Sequence, residues 1–251
     1  MVFYHNINPI IFSFGPLQVR WYGLMYVIAF IITYFYLKSS VKKGRISLTE
    51  DDVDWYIIIT TVSLIIGARI FEVLFYNPGY YFTNPSRIIA IWQGGLSFHG
   101  GLTGVIVSSY FFCRKKGIKF LELADVMVVP LALGLAFGRV GNFINGELYG
   151  RITTLPWAVK FPGAKGFRHP SQLYESAKNL IIFFTLFSLR NKKMPRGYLL
   201  AVFLVMYSVF RFFIEFVREP TVVLGHLTLG QWFNIPMFAA GVWMIIRLKK
   251  G

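Results

Sequence analysis

DWYIIITTVSLIIGARIFEVLFY, residues 54–76, is mostly apolar and carries no charge between Asp54 at its start and Arg69, with Glu72 following near its end. Roughly 20 mostly apolar residues suffice to cross a hydrocarbon core of about 30 Å, so this stretch is long enough for a transmembrane helix. Outward from it, six more stretches qualify. The seven candidate spans fall at approximately 20–37, 54–76, 95–113, 122–140, 172–189, 198–217 and 227–246. Composition agrees: 55% of the 251 residues are hydrophobic and 15% charged, against about 25% charged in an ordinary soluble domain. The expected fold is an all-α polytopic membrane protein of about seven transmembrane helices, with residues 1–251 as a single integral membrane domain.

A net charge of +15 would point to nucleic acid if a basic stripe lay on a soluble domain, but here Lys and Arg stand between apolar runs. No nucleic-acid partner is expected. Four clusters hold more than half of the 26 basic residues: Lys38, Lys42, Lys43 and Arg45; Arg114, Lys115, Lys116 and Lys119; Arg190, Lys192, Lys193 and Arg196; Arg247, Lys249 and Lys250. They follow the first, third, fifth and seventh spans. The positive-inside rule therefore puts them all in the cytoplasm, with the N-terminus outside and the C-terminus in the cytoplasm. A missed span would put neighbouring clusters on opposite faces. No Lys or Arg precedes Arg20, and Pro9 and Pro16 interrupt the start, so no cleavable signal is expected and the N-terminus stays. No tandem repeat is visible, and an odd span count fits poorly with the equal halves of inverted-repeat transporters. The longest outer segment, residues 141–171, is expected to form a small extracytoplasmic cap. The single cysteine, Cys113, rules out an internal disulfide; beside Arg114 it lies on the cytoplasmic side and reads as an inert core thiol.

Ionisable side chains inside a span cost several kcal/mol unless paired or hydrated, so each is a functional candidate. At 1.5 Å per residue, Arg69, Arg139 and Arg211 lie roughly 20 to 25 Å from the cytoplasmic starts of their spans, in the outer half of the bilayer. His99, near the outer end of its own span, can join them. Ordinary alternatives exist. Arg69 and Glu72, three apart, and Arg211 and Glu215, four apart, can neutralise each other on one helix face. Arg218 and Tyr207 flank Arg211. His99 sits in GGLSFHGGLTG, residues 94–104, whose glycines either open space beside the imidazole or permit close helix packing. GRVGNFINGELYGR, residues 138–151, combines Arg139, Asn142, Asn145, Glu147 and Arg151 with four glycines. An anion site explains both sets, because Arg is a planar fork for phosphate and amides satisfy the remaining oxygens. HPSQLYES, residues 169–176, adds His169, Gln172, Tyr174 and Glu175, a weak signal taken alone.

Together RWYGLMY (20–26), FHGGLTG (98–104), GRVGNFINGELYGR, HPSQLYE and RFFIEFVREP (211–220) resemble the prolipoprotein diacylglyceryl transferase family almost end to end. The resemblance implies transfer of the diacylglyceryl group from phosphatidylglycerol to the lipobox cysteine thiol of a prolipoprotein signal peptide, with release of glycerol phosphate. That is the first step of bacterial lipoprotein maturation. It implies no metal and no cofactor, membrane lipids as surroundings, and a multi-pass protein of the bacterial cytoplasmic (inner) membrane with its active site on the extracytoplasmic side. Such chemistry needs a base, a phosphate clamp and a lipid slot; the nucleophilic cysteine belongs to the substrate. By that likeness Arg139 and Arg211 hold the phosphate and stabilise the leaving group. His99 is the expected general base and Glu147 the runner-up. Tyr22 and Tyr207 are expected to hydrogen-bond around the headgroup, and Asn142, Gly150 and Glu215 to shape the site. WAVKFPGAKGF, residues 157–167, matches no pattern. The rival readings are an anionic-lipid transporter or flippase, which predicts charges spread through the membrane thickness, and a noncatalytic packing protein, which needs the glycines but not the polar set.

Overall fold

The computed structural model describes residues 3–15, 17–220 and 222–249; Pro16 and Lys250 of the sequence argument lie outside the described residues. Helices occupy all seven predicted stretches: α1 (Trp21–Lys42), α2 (Glu50–Phe71, extended by a π-helical turn over Glu72–Tyr76), then, after a short α3 (Pro78–Thr83), α4 (Phe98–Lys116), α5 (Phe120–Asn145), α6 (Ser171–Leu189), α7 (Tyr198–Ile214) and α8 (Leu229–Lys249). Among the described residues four helices, Trp21–Lys42, Glu50–Tyr76, Phe120–Asn145 and Leu229–Lys249, are long and apolar enough to cross a membrane.

Solvent and core are inverted on these helices. On α2, Trp55, Ile58, Val62, Ile66 and Ile70 recur at helical spacing on the exposed face, while Tyr56, Thr60, Ala68 and Arg69 are buried. On α6 the exposed face carries Leu173, Ile181, Phe184 and Phe187, and the buried face carries Gln172, Glu175, Lys178 and Asn179. A helix that hides its polar side chains and displays its apolar ones is built for lipid as solvent.

Local chemistry sets the helix ends. Thr49 caps α2 by accepting from the Asp52 N–H at 3.1 Å, and the Asp52 carboxylate accepts from the Thr49 N–H at 3.0 Å, a reciprocal capping box. Ser97 caps α4 at its start, and Gly117, in the left-handed region at φ 69°, ends it. Asp125 of α5 accepts from the N–H groups of Gly197 at 2.6 Å and Leu200 at 2.8 Å, supplying a carboxylate to the first turn of α7.

The chain is not purely helical. Among the described residues three two-stranded pairs accompany the helices: β1 (Phe3–Tyr4) parallel to β4 (Val159–Lys160), β2 (Ile10–Phe14) antiparallel to β3 (Leu17–Arg20), and β5 (Val223–Leu224) antiparallel to β6 (Leu227–Thr228). All are too short to show strand periodicity in sequence.

Two compact units emerge, one of residues 1–36 and 124–251, the other of residues 37–123. The first has a core of Val128, Val129 and Ala132 from α5, Ile182 and Leu186 from α6, and Leu199 and Phe203 from α7. A smaller cluster of Val159, Phe161 and Ala164 packs with Phe143 and Tyr149, organising the segment between α5 and α6. The second unit is dominated by α2 against α4. A Cβ at Gly67 would stand 3.1 Å from the Gly104 Cα and would also collide with the Gly100 carbonyl, so these glycines bring the two backbones together.

Candidate active site

The polar centre of the first unit is organised by a single carboxylate. Glu175, fully buried on α6, directs Oε2 at Lys178 Nζ (2.7 Å) and Oε1 at Arg211 Nε (3.2 Å) and Arg218 Nη1 (3.1 Å); Arg139 Nε stands 3.9 Å from Oε2. Glu215, one turn after Arg211, pairs with Arg211 Nη1, lies 3.7 Å from Arg218 Nε, and accepts from Thr228 Oγ1 at 3.0 Å. Gly230 lets the backbone close on it: a Cβ there would stand 2.8 Å from Glu215 Oε1. Four cations thus share two carboxylates, a surplus of two positive charges in a site largely removed from water. Taking charges out of water costs several kcal/mol per ion unless they are paired. A surplus of this kind favours an anion at the site, and planar guanidinium forks suit the geometry of a phosphate.

Arg139, Arg211, Glu215 and Tyr207 therefore lie together around one centre. Tyr207 lies beneath the Lys178 ammonium, 3.7 Å from its ring centroid. Asn142 and Glu147 form a second group: Glu147 Oε1 accepts from Asn142 Nδ2 at 2.8 Å and from Asn145 Nδ2 at 3.1 Å, hydrogen bonds that leave Oε2 unused by either amide. Leu148, a non-glycine residue at φ 58°, turns the chain here. Its carbonyl accepts from Ser171 Oγ at 3.0 Å, and the Glu147 carbonyl accepts from Gln172 Nε2 at 2.6 Å. The start of α6 therefore holds the strained turn that presents Glu147. Tyr22 shares a hydrogen bond with Tyr26 at 2.9 Å and packs on Gly141, where a Cβ would come within 2.8 Å of Tyr22 Cδ2. Gly150 occupies a close backbone crossing, its N–H donating to the His169 carbonyl at 2.9 Å, with no room for a side chain between Val217 and His169.

His99 belongs to the second unit. Its exposed ring pairs through Nδ1 with the Tyr76 hydroxyl at 2.9 Å, on the second residue of α4. The glycines around it serve helix packing through Gly100 and Gly104. Arg69 differs from its sequence reading. Its guanidinium does not pair with Glu72, which instead accepts from Asn77 Nδ2 at 2.7 Å. Arg69 donates to the carbonyls of Arg87, Ile88, Ala90, Gly94 and Gly95 and to the Tyr81 hydroxyl, at 2.5 to 3.2 Å, fastening the loop that leads to His99.

Sequence reasoning passed over Lys178 and underrated Glu175 and Arg218. The signal was present: positions 175 and 178 lie inside the predicted fifth span, three residues apart. In the 141–171 segment, burial holds the His169 imidazole below the ordinary histidine range. Among the described residues, no three His, Cys, Asp or Glu side chains converge as a metal site would require.

Apolar helices long enough to cross a membrane, together with a buried polar centre in the first unit that carries excess positive charge, define the class: a polytopic membrane protein. The family model described as prolipoprotein diacylglyceryl transferase matches residues 9–247. The chain is also similar to proteins named phosphatidylglycerol–prolipoprotein diacylglyceryl transferase: 43% identical to one from Geobacter sulfurreducens, over 98% of this chain and 96% of the relative. Identity is 43% to one from Bordetella avium, over 100% and 98% of the two chains, and 40% to one from Rickettsia bellii, over 97% and 96%. The chain belongs to the prolipoprotein diacylglyceryl transferase family.

Proposed function

We propose that this chain transfers the diacylglyceryl group of phosphatidylglycerol to the cysteine thiol of a prolipoprotein lipobox, the first step of lipoprotein maturation. Family membership and relatives bearing that name support the reaction; the observation that carries the site is the surplus of cations around Glu175. In this reaction a new C–S bond forms at the glyceryl carbon as its C–O bond to phosphate breaks. Glycerol phosphate leaves with the electron pair, and the thiol proton passes to a base. Charge therefore gathers on the departing phosphate. Preorganised donors aimed at such charge supply much of an enzyme's acceleration, and Arg139 and Arg211 are the donors proposed here.

Arg211 is held by Glu175 through Nε and by Glu215 through Nη1, which leaves its Nη2 for a ligand oxygen. Arg139, the most open of the four cations, presents its terminal nitrogens. His99 is the proposed general base, its hydrogen bond to Tyr76 fixing the ring, and the Glu147 Oε2 is the second candidate. Asn142 holds Glu147, Tyr22 and Tyr207 are proposed headgroup contacts, and Gly150 and Glu215 shape the walls.

The proposed topology has seven spans, including the shorter α4, α6 and α7, in a single integral membrane domain. The N-terminus lies outside, the basic clusters lie in the cytoplasm, and residues 141–171 form a cap on the extracytoplasmic side of the bacterial inner membrane. The positive-inside pattern supports it.

The test is mass spectrometry of a lipobox peptide incubated with purified protein and phosphatidylglycerol, alongside the Arg139→Ala variant and a peptide with serine in place of cysteine. A diacylglyceryl mass gain confined to the cysteine peptide, and lost in the variant, is expected. Absence of any gain with folded wild-type protein refutes the reading.

A further inference from the structure

We infer that Lys178 is a positioning residue: by occupying Oε2 of Glu175, it keeps the Arg139 guanidinium from closing onto that carboxylate and so leaves it open for the lipid phosphate. This rests on the reading given under Proposed function and deepens it.

The geometry of Glu175 carries the argument. Oε1 is shared by Arg211 and Arg218, at 3.2 and 3.1 Å. Oε2 faces Lys178 at 2.7 Å and Arg139 Nε at 3.9 Å. A charge-assisted N–H···O bond closes at roughly 2.7–2.9 Å, so Lys178 has made that bond and Arg139 stands about an ångström short of it. Both cations are drawn to this oxygen, but the lysine is the nearer, and its positive charge both offsets the oxygen's pull on the guanidinium and repels it, which leaves Arg139 at 3.9 Å. Exposure separates their roles: the Lys178 side chain is 1% exposed and that of Arg139 is 23% exposed. With the Tyr207 ring 3.7 Å from its ammonium on another side, Lys178 cannot itself reach a ligand. A buried ammonium with no route to substrate acts through its partner, and that partner sets where Arg139 rests.

Replacing Lys178 by an uncharged residue frees Oε2. Arg139 then moves inward, forms the pair it lacks, and loses donors to the phosphate. The expected loss is that of one charge-assisted hydrogen bond to the lipid, about tenfold in affinity.

The experiment measures transfer kinetics against phosphatidylglycerol concentration in mixed micelles for wild type, Lys178→Met and Lys178→Arg. Expected for Lys178→Met is a KM for phosphatidylglycerol raised about tenfold, with kcat lowered as well because Arg139 also serves the leaving group, and for Lys178→Arg, which restores a donor to Oε2, a KM and kcat within about threefold of wild type. Damage through misfolding alone would lower kcat with the amount of folded protein and leave KM unmoved. A wild-type KM in Lys178→Met, or equal impairment in both variants, overturns the inference. Should Lys178→Met aggregate, Lys178→Gln replaces it: its neutral donor gives an intermediate rise in KM, and an unchanged KM there is equally decisive against the inference. A folded wild-type protein that transfers nothing from phosphatidylglycerol overturns the functional reading and this inference with it; an active wild type with unresponsive variants overturns the inference alone.

Discussion

Arg69→Lys keeps the charge at position 69 but changes its geometry, and the consequence can be worked from the contacts. The guanidinium serves six acceptors: Nε donates to the Ile88 carbonyl; Nη1 to the carbonyls of Gly94 and Gly95 and to the Tyr81 hydroxyl; Nη2 to the carbonyls of Arg87 and Ala90. An ammonium has three N–H donors radiating from one point, so at least half of these acceptors lose their partner. At about 1 to 1.5 kcal/mol for each bond lost, three losses reduce the free energy holding residues 87–95 by about 3 to 4.5 kcal/mol. That corresponds to at least a hundredfold faster local opening, because about 1.4 kcal/mol is a factor of ten. The assay is amide hydrogen exchange read by mass spectrometry on peptides covering 84–97, compared with peptides from the middle of α2 and α4. Exchange should rise in the loop alone. The control is Glu72→Gln: since Glu72 bonds to Asn77 and not to Arg69, loop exchange should stay within about threefold of wild type. Wild-type protection of 87–95 in Arg69→Lys, or a Glu72→Gln variant that loosens the loop as much, would refute the reasoning.

Gly67→Ala should destabilise the second unit by roughly 1 to 3 kcal/mol, measured by thermal unfolding in detergent, because the new methyl lies 3.1 Å from the Gly104 Cα with backbone on both sides and nothing flexible to yield. Asp125→Ala removes the acceptor for the Gly197 and Leu200 N–H groups and should cost about 1 to 2 kcal/mol, while Asp125→Asn, which retains an oxygen, should cost less; equal losses would show that the hydrogen bonds are not what Asp125 contributes. The depressed His169 pKa fixes a sign: between the folded and unfolded values the unfolded chain binds the extra proton, so its stabilising contribution is present above the unfolded value near 6.5 and is lost as pH falls. Melting curves at pH 7.5 and 5 should show a smaller acid-side loss in His169→Gln than in wild type, and parallel curves would argue against the assignment.

How far the sequence discloses this molecule depends on which force sets each feature. The helices are legible because lipid imposes hydropathy on every residue facing it: the run from Trp55 to Ala68 could be recognised without knowledge of any partner. The segment between α5 and α6 is not legible, because backbone pairings such as Thr153 N–H to the Phe167 carbonyl and His5 N–H to the Lys160 carbonyl order it, and peptide groups are the same whatever side chains they bear. The two candidate ion pairs make the same point at the level of single residues. Arg211 and Glu215 do pair, since four-residue spacing on one helix brings them together and no closer acceptor intervenes. Arg69 and Glu72 have comparable spacing, yet the carbonyls of residues 87–95 take the guanidinium, and no helical periodicity can foresee acceptors delivered by a loop some twenty residues on.

Depth within a predicted span singles out Arg139 and Arg211 in the sequence, and by the same criterion it singles out Lys178. Its position three residues after Glu175 made it easy to pass over as half of a neutral pair. Neutrality is the wrong criterion in a site with several cations. A carboxylate carries a single charge, and the cation that lies closest to it decides how strongly it draws any other. In this site the more buried cation makes the bond and the more exposed one is left 3.9 Å away. A paired charge on a buried helix face is functional, on the inference drawn above, through the pairing it denies to a neighbour, and the contrast between Lys178→Met and Lys178→Arg separates that role from simple charge compensation.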